Sequence, residues 1–241
     1  MNRRPRPDEQ EYELEELSRT RKAIGERTSI SFSTKPHFAV SVLVDATELV
    51  ALRGELKSGD VSPLPSYNDI LLKTVAYLLT RHRRLNAWLD EEGLKLLTHV
   101  NVSFAVATDQ GVLLPVVLDA DRKSLAEVAA ETREMIEMAR AGRLRASLQM
   151  GAGFVLTNIG PGRVEWFTAI ISPPQVGILA IGSMLPRPMV VGDEIVARPS
   201  FHATLTTDHQ ALDGADAATV MNDFVAIVES AEELRHATGL Q

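Results

Sequence analysis

The chain has 241 residues, of which 45% are hydrophobic, so it is long enough to bury the core of one large domain. It carries 25 basic and 32 acidic residues, and the resulting net charge of −7 excludes a general affinity for nucleic acid or anionic membranes. It contains no cysteine, which excludes disulfides, thiolate metal sites and a cysteine nucleophile. No apolar run approaches the ~20 residues of a membrane span, and we expect a cytoplasmic protein without nucleic-acid or membrane partners.

The first residues differ in composition from the rest of the chain. Residues 1–9, MNRRPRPDE, alternate arginine with proline, a pattern that cannot form a helix and that predicts a disordered linker remnant. A folded domain is expected over residues 10–241. Leu14, Leu17 and Ile24 recur at helical spacing, which predicts a first helix that starts near residue 10 and carries basic residues in its last turn.

Hydrophobic periodicity and turn residues predict alternating strands and helices along the remaining chain. Predicted strands lie at 37–44, 100–107, 112–118, within 151–162, at 177–184 and at 195–207. Predicted helices lie between Asp45 and Leu56, at 67–85, at 125–142 after Ser124 or Asp121, and at 214–234. Turn residues 108–111 and 191–194 indicate two hairpins. We therefore expect an α/β (α+β) two-layer sandwich in which helices cover a mixed sheet.

The segment 206–214, TTDHQALDG, lies between the last predicted strand and the last predicted helix. A histidine at such a turn can present one ring nitrogen to a cleft, and histidine is the side chain best suited to general-base chemistry near neutral pH. His209 is therefore a candidate base, Asp213 a residue that holds the turn, and Gly214 a position of close approach. The spacing alone equally fits a structural or solvated histidine.

The same segment resembles the DHRxxDG signature of the acyltransferase (E2) catalytic domain of 2-oxoacid dehydrogenase complexes, whose fold is shared with chloramphenicol acetyltransferase. Other stretches resemble that family in the same order along the chain, and the resemblance covers residues 17–235. These stretches are SRTRKAIGERT, KPHFAVSVLVDATELVALRGEL, SYNDILLKTVAYLL, VNVSFAVATDQGVLLPVV, GAGFVLTNIG and FTAIISPPQVGILAIG. The chain is identified as a member of the dihydrolipoamide acyltransferase family.

The resemblance implies a catalytic set. His209 would remove the proton from the thiol of CoA or dihydrolipoamide, which attacks the thioester of the other. The hydroxyl of Thr157 would stabilise the oxyanion, and Asp213 would hold the turn. The family places the equivalents of Thr157 and His209 on opposite sides of a trimer interface. Without the resemblance, Thr157 is equally an ordinary buried strand residue.

The resemblance also implies contacts to the substrate coenzyme A. Arg53 would bind the nucleotide phosphates, Ser66 the pantetheine or its gate, and Asn158, Gly182 and Met184 the pantetheine arm. Arg53 taken alone also fits a solvated helix residue. No metal site is expected, because the other histidines lack ligand spacing, and the two tryptophans, Trp88 and Trp166, are interpreted as packing or interface residues.

The clearest departure from the signature is Gln210, where the family has arginine. Its loss is expected to alter how the loop is anchored or how Asp213 is paired. Two alternatives to an active dihydrolipoamide acyltransferase remain. One is a catalytically weak structural core component of such a complex, and the other is an acetyltransferase that acts on a free small molecule.

The six lysines all fall inside the catalytic-domain resemblance, and none has the sequence context of a lipoylation site. We therefore expect the lipoyl and peripheral-subunit-binding domains to be absent and the lipoyl group to come from outside this chain. The chain is interpreted as a core cut from a longer protein, with a naturally free-standing domain as the alternative. The E1 and E3 components would bind through the missing domains. The family implies trimers that assemble into a 24-mer or 60-mer, with Leu240 as a contact between trimers. The acyl group is branched-chain, by a slight preference, or acetyl.

Overall fold

The computed structural model of the chain describes residues 12–59, 61–109 and 111–240. The helices are α1 (Arg19–Thr34), α2 (Thr47–Ser58), α3 (Tyr67–Arg81), α4 (Leu125–Arg140), α5 (Gly214–Glu229) and α6 (Ala231–Thr238). The strands are β1 (His37–Asp45), β2 (Ala87–Asp90), β3 (Gly93–Leu96), β4 (Val102–Phe104), β5 (Val106–Thr108), β6 (Gly111–Leu113), β7 (Val116–Val117), β8 (Phe154–Asn158), β9 (Gly177–Ile181), β10 (Leu185–Val191) and β11 (Glu194–Asp208). The predicted linker and the predicted start of the fold at residue 10 lie outside the described residues.

The main sheet is mixed. Its order is β1-β11-β9-β8-β4-β7, and β10 pairs with β11 as well. Strand β8 runs parallel to β4 and β9, whereas the other pairings are antiparallel. Two separate hairpins, β2–β3 and β5–β6, lie outside this sheet. The predicted mixed sheet is therefore confirmed.

The two faces of the sheet differ in what covers them. Because successive side chains of a strand point to opposite faces, Phe154 and Leu156 enter the main core, which also contains the buried residues of α2 to α6. Val155 and Ile178 face the other way and form a smaller cluster with Ile171. One layer of helices on one face of one sheet is the two-layer sandwich that the sequence predicts.

Side-chain caps explain why three helices begin where they do. Ser66 with Asp69 starts α3, Ser124 with Glu127 starts α4, and Asp213 with Asp216 starts α5, each as a reciprocal capping box. Of the two starts considered for α4, Ser124 is confirmed. Helix α2 begins at Thr47, whose N–H donates to the side chain of Asp45.

The first helix is not where the apolar spacing places it. It begins at Arg19, after the cap Ser18, and runs on to Thr34 with no basic residue in its last turn. Leu14 and Leu17 precede it and are 76% and 55% exposed. The prediction was wrong because spacing alone does not supply a core for those side chains, and the helix starts at the residue that caps it.

Three further boundaries differ from the predictions. Strand β10 was missed because Pro186 and Pro188 argue against a strand, yet both are tolerated where a strand pairs on one side only. The short hairpin β2–β3, which turns at residues 91 and 92, carries too little alternation to be predicted. The predicted final helix is two helices, because Ser230 ends α5 and caps α6.

The runs predicted around the turn at 108–111 do form a hairpin, but each run is divided between two sheets. The inner strands β5 and β6 pair with each other, while β4 and β7 pair within the main sheet. Residue 110, at the turn, lies outside the described residues. In the ranges that the structure describes, no helix has the length and apolar character that a membrane crossing requires.

Candidate active site

His209 lies on an exposed turn immediately after β11. Its backbone N–H donates to Pro36 O at 2.9 Å, and its ring packs edge-on against Phe38 with centroids 5.2 Å apart. Neither ring nitrogen is hydrogen-bonded to another described residue. The backbone and one face of the imidazole are thus held in place, while its nitrogens are available to a substrate.

Asp213 holds the far end of the turn by capping α5. Its carboxylate accepts hydrogen bonds from the backbone N–H groups of Asp216 and Ala215, each at 2.9 Å. These bonds, and then the nearby His209 and Arg84, hold the pKa of Asp213 below its ordinary value. Asp213 is therefore the N-cap of α5.

Arg84 is a residue of this site that the sequence analysis did not find. Its Nη2 donates to Ala211 O at 2.8 Å, so it braces the turn between His209 and Asp213. It follows α3 in a run of basic residues, RHRR, and such a run is more often a solvated surface. Only the tertiary contact distinguishes Arg84 from its neighbours.

Replacement of Asp213 by alanine is expected to lower the midpoint of thermal unfolding by about 2–4 °C, because the first turn of α5 loses its cap. Asp213→Asn is the matched control and should lose less, because asparagine also caps helices. Because the folded-state pKa of Asp213 is lowered, its contribution is complete above the ordinary Asp pKa of about 4 and is lost as the pH falls below it. A difference between the native protein and Asp213→Ala that persists unchanged at pH 2 would contradict this account.

Thr157 lies on β8 and faces a cavity of about 1070 Å³. Ser103, Val155 and Ile178 line the cavity from the sheet, and its other walls include α1, the β5–β6 hairpin, the end of α4 and the segments 149–152 and 169–175. Thr157 is only half-buried, and its hydroxyl makes no hydrogen bond to another described residue. It is therefore not an ordinary core residue, because it presents a free donor to an open space.

One chain does not bring Thr157 and His209 together. Thr157 aligns with Ala180 on β9, and Ala180 aligns with Thr204 on β11. His209 lies five residues beyond Thr204, toward the edge where β9 begins. With ~3.3 Å per residue along a strand and ~4.8 Å between strands, this register places the backbones of the two residues about 19 Å apart.

Two of the candidate CoA residues meet where α2 packs on the start of α3: Arg53 lies on α2, and Ser66 caps α3. The guanidinium of Arg53 stacks over the ring of Tyr67, 4.9 Å from its centroid, and its Nε is buried without a hydrogen-bond partner. Ser66 is the adjacent residue, and its hydroxyl is hydrogen-bonded to the carboxylate of Asp69. Arg53 is therefore held against the core by an aromatic ring and is not a freely solvated residue.

Asn158 joins this group from the end of β8. Its Nδ2 donates to Asn68 Oδ1 at 3.0 Å, and its Oδ1 accepts from the N–H of Gly160 at 2.7 Å. Asn158 aligns with Ile181, so Gly182 follows on the neighbouring strand. The structure thus gathers Arg53, Ser66, Asn158 and Gly182 near the carboxyl ends of β8 and β9, at the edge of the sheet opposite to His209.

Gly182 and Met184 are placed differently within this region. Gly182 is buried, and a Cβ added there would lie 1.8 Å from the carbonyl oxygen of Glu165. Glycine is therefore required by the packing of this chain, whatever it contacts in a complex. Met184 is half-buried against the main core.

Four of the five remaining histidines make side-chain contacts within the chain, whereas Nδ1 of the fifth, His202, is buried without a hydrogen-bond partner among the described residues. His37 lies between Lys35 O and the N–H of Ile171, and side-chain contacts hold His82 to Asp223, His99 to Asp119 and His236 to Tyr77. Among the described residues, no three acidic, histidine or cysteine side chains come together as metal ligands. Trp88 donates to Ala152 O at 2.8 Å, as a packing residue does, whereas Trp166 is 59% exposed.

The fold is that of a two-layer acyltransferase. Chloramphenicol acetyltransferase superposes with a TM-score of 0.54 at 12% identity, over 83% of this chain and 92% of its own, which shows a shared fold. The family model described as 2-oxoacid dehydrogenases acyltransferase (catalytic domain) matches residues 9–235. The chain belongs to this family, and the enzyme class that the sequence predicts is confirmed.

Individual relatives agree with the family. The dihydrolipoyllysine-residue acetyltransferase component of the pyruvate dehydrogenase complex is 32% identical over 224 residues in Rickettsia felis and 35% identical over 212 residues in Bacillus subtilis. These matches cover 92% and 86% of this chain but 54% and 48% of the relatives, so the chain spans about half their length. Both names specify acetyl, and the slight preference for a branched-chain acyl group receives no support from them.

Solved structures extend the likeness to nearly the whole chain. The dihydrolipoamide acetyltransferase of Azotobacter vinelandii superposes with a TM-score of 0.88 at 29% identity, covering 98% of this chain and 99% of its own. The cubic core of a pyruvate dehydrogenase multienzyme complex superposes with a TM-score of 0.86 at 28% identity, covering 97% and 99%.

Proposed function

We propose that this chain is the catalytic core of a dihydrolipoyllysine-residue acetyltransferase, which transfers an acetyl group between dihydrolipoamide and CoA. The names of its relatives support acetyl as the group transferred. The lipoyl group would be supplied by a domain outside residues 1–241, and the E1 and E3 components of a pyruvate dehydrogenase complex would be its partners.

One observation carries the catalytic assignment. In the Azotobacter vinelandii enzyme, a serine, a histidine and an asparagine were studied for their role in the mechanism; the histidine is 52 positions after the serine, and the asparagine four positions after the histidine. Thr157, His209 and Asp213 have the same spacing in this chain. The ring nitrogens of His209 and the hydroxyl of Thr157, which have no hydrogen-bond partner among the described residues, support the same assignment.

In the proposed mechanism, a ring nitrogen of His209 removes the thiol proton of CoA. The thiolate attacks the carbonyl carbon of the acetyl thioester on dihydrolipoamide, and the hydroxyl of Thr157 donates a hydrogen bond to the oxyanion that forms. When the intermediate collapses, the bond to the dihydrolipoamide sulfur breaks, and that sulfur takes the proton back from His209. Both thiols belong to substrates, which accords with a chain without cysteine.

The separation of Thr157 and His209 in one chain supports a site shared between subunits. Exposed apolar side chains on α1 and on the segment before β9 support self-association; they are Ile30, Phe32, Ile159, Val164, Trp166 and Ile170. We propose trimers, and a cubic 24-subunit core in accord with the cubic assembly of a structural relative. Arg53, with its buried and unpartnered Nε, would hold the CoA phosphates, while Ser66, Asn158, Gly182 and Met184 would border the pantetheine.

The test of this function is a donor panel. With acetyl-, isobutyryl-, isovaleryl- and succinyl-dihydrolipoamide, kcat/KM for transfer to CoA should be highest with acetyl. One added methylene typically changes discrimination by about 10- to 200-fold. A preference for isobutyryl or isovaleryl would contradict the acetyl assignment, and no transfer from any donor by an assembled core that binds CoA would favour a structural role.

A further inference from the structure

Lys35 and Asp208 form a buried ion pair directly beside His209. Lys35 Nζ lies 2.8 Å from Asp208 Oδ2, and the two side chains are 7% and 0% exposed. Asp208 is the last residue of β11 and immediately precedes His209. Because a buried carboxylate without a partner is strongly destabilising, this pair fixes the residue on which the turn begins.

Two further hydrogen bonds join the same two segments. The N–H of His209 donates to Pro36 O at 2.9 Å, and Gln210 Nε2 donates to Thr34 O at 3.2 Å. Residues 34–36 therefore hold residues 208, 209 and 210 one after another. Since α1 ends at Thr34 and β1 begins at His37, the short connection between them serves as the support of the His209 turn.

Position 210 faces the same carboxylate as Lys35. Gln210 Nε2 and its backbone N–H both approach Asp208 Oδ1, at 3.2 and 3.1 Å. An arginine at this position, as in the family signature, would therefore place its cation on Asp208. In this chain position 210 is neutral, and the only cation in contact with Asp208 among the described residues is Lys35.

We propose that Lys35 supplies from the end of α1 the positive charge that Gln210 does not, and that it acts as a positioning residue for His209. This inference rests on the proposed function, because it assigns Lys35 a role through the proposed base. In the family signature the cation next to Asp208 would be an arginine at position 210, on the turn itself. In this chain the cation is Lys35, on the segment that supports the turn. Lys35 and position 210 are then interchangeable as the source of the cation on Asp208.

Replacement of Lys35 by methionine tests the inference. We expect kcat to fall by about 10- to 100-fold, because small displacements of a catalytic group have effects of this size, while KM for CoA stays within about twofold. In the double variant K35M/Q210R the arginine should restore kcat to within about threefold of the native value, although Q210R alone changes little. Loss of kcat without recovery in the double variant would reduce Lys35 to a merely structural residue and overturn the proposal.

Lys95→Met is the matched control. Lys95 Nζ pairs with Asp90 Oδ2 at 2.7 Å, but that pair is exposed and lies on the β2–β3 hairpin, so its loss should leave kcat unchanged. Where K35M fails to fold, K35M/D208N removes the uncompensated charge and can be assayed instead. Its kcat should be at least about tenfold below the native value, and a native kcat in that variant would overturn the proposal.

Turnover of the His209→Ala and Lys35→Met variants tests the role of Lys35 separately from the proposed acyltransferase function. If His209→Ala abolishes turnover while Lys35→Met is fully active, the acyltransferase assignment stands and the role of Lys35 is wrong. If His209→Ala retains native turnover, the proposed base itself is wrong.

Discussion

His209→Ala should lower kcat for acetyl transfer from dihydrolipoamide to CoA by about 10²- to 10⁴-fold, the usual contribution of a positioned general base. The physical reason is that no other group on the turn can take a thiol proton. Gln210 does not titrate, and the carboxylate of Asp213 is occupied by the backbone N–H groups of α5. Steady-state measurement of kcat and KM for CoA checks the prediction.

His99→Ala is the control for loss of a histidine. His99 is exposed and contacts Asp119, away from the His209 turn, so turnover should not change. Because the His209 side chain is exposed and its packing contact is with Phe38, the alanine variant should assemble and melt like the native protein. A native kcat in His209→Ala would contradict the proposed mechanism.

Thr157→Val should lower kcat by about 10²- to 10³-fold, because valine keeps the shape of threonine but lacks the donor that stabilises the oxyanion. Thr157→Ser is the matched control, since it keeps the hydroxyl and should retain most of the activity. The loss should appear in kcat and not in KM for CoA, because the hydrogen bond is strongest in the transition state. Equal activities of the valine and serine variants would show that the hydroxyl has no catalytic part.

Mixing the two inactive variants tests whether the site is shared. When Thr157→Val and His209→Ala chains are produced together and assemble at random, a site built from two neighbouring subunits is intact in about a quarter of cases. A site built within one chain would be intact in none. Recovery of about a quarter of the native turnover is expected from the separation of about 19 Å in a single chain, and no recovery would contradict the shared site.

Local patterns predicted much of the fold because the responsible interactions are local. Strand β1 was predicted to within one residue, and the starts of α3 and α4 follow from the serine caps Ser66 and Ser124, whose partners lie three residues further on. Where the predictions failed, the deciding interaction was distant. Strand β10 exists because β11 pairs with it, and the start of α1 reflects the absence of a core around Leu14 and Leu17.

The candidate site divides in the same way. The family resemblance of the sequence proposed His209, Asp213 and Thr157, because a motif of neighbouring residues marks each of them. It did not identify Lys35, which is 173 residues from its partner Asp208, or Arg84, which is 127 residues from Ala211. The sequence does not show where a charged side chain lies in the fold. Only its burial and its contact with a partner distant in the chain distinguish a supporting cation from a solvated one.

By itself, the sequence determined the order of most elements, the family and the residues proposed for catalysis. Only the tertiary structure decided that Thr157 faces an open cavity, that the candidate CoA residues and His209 lie at opposite ends of the strands, and that Lys35 pairs with Asp208. The physical reason is that the alternation of residues along a strand shows only which side chains share a face. The order of the strands and the position of the helices decide what each face and each strand end contacts.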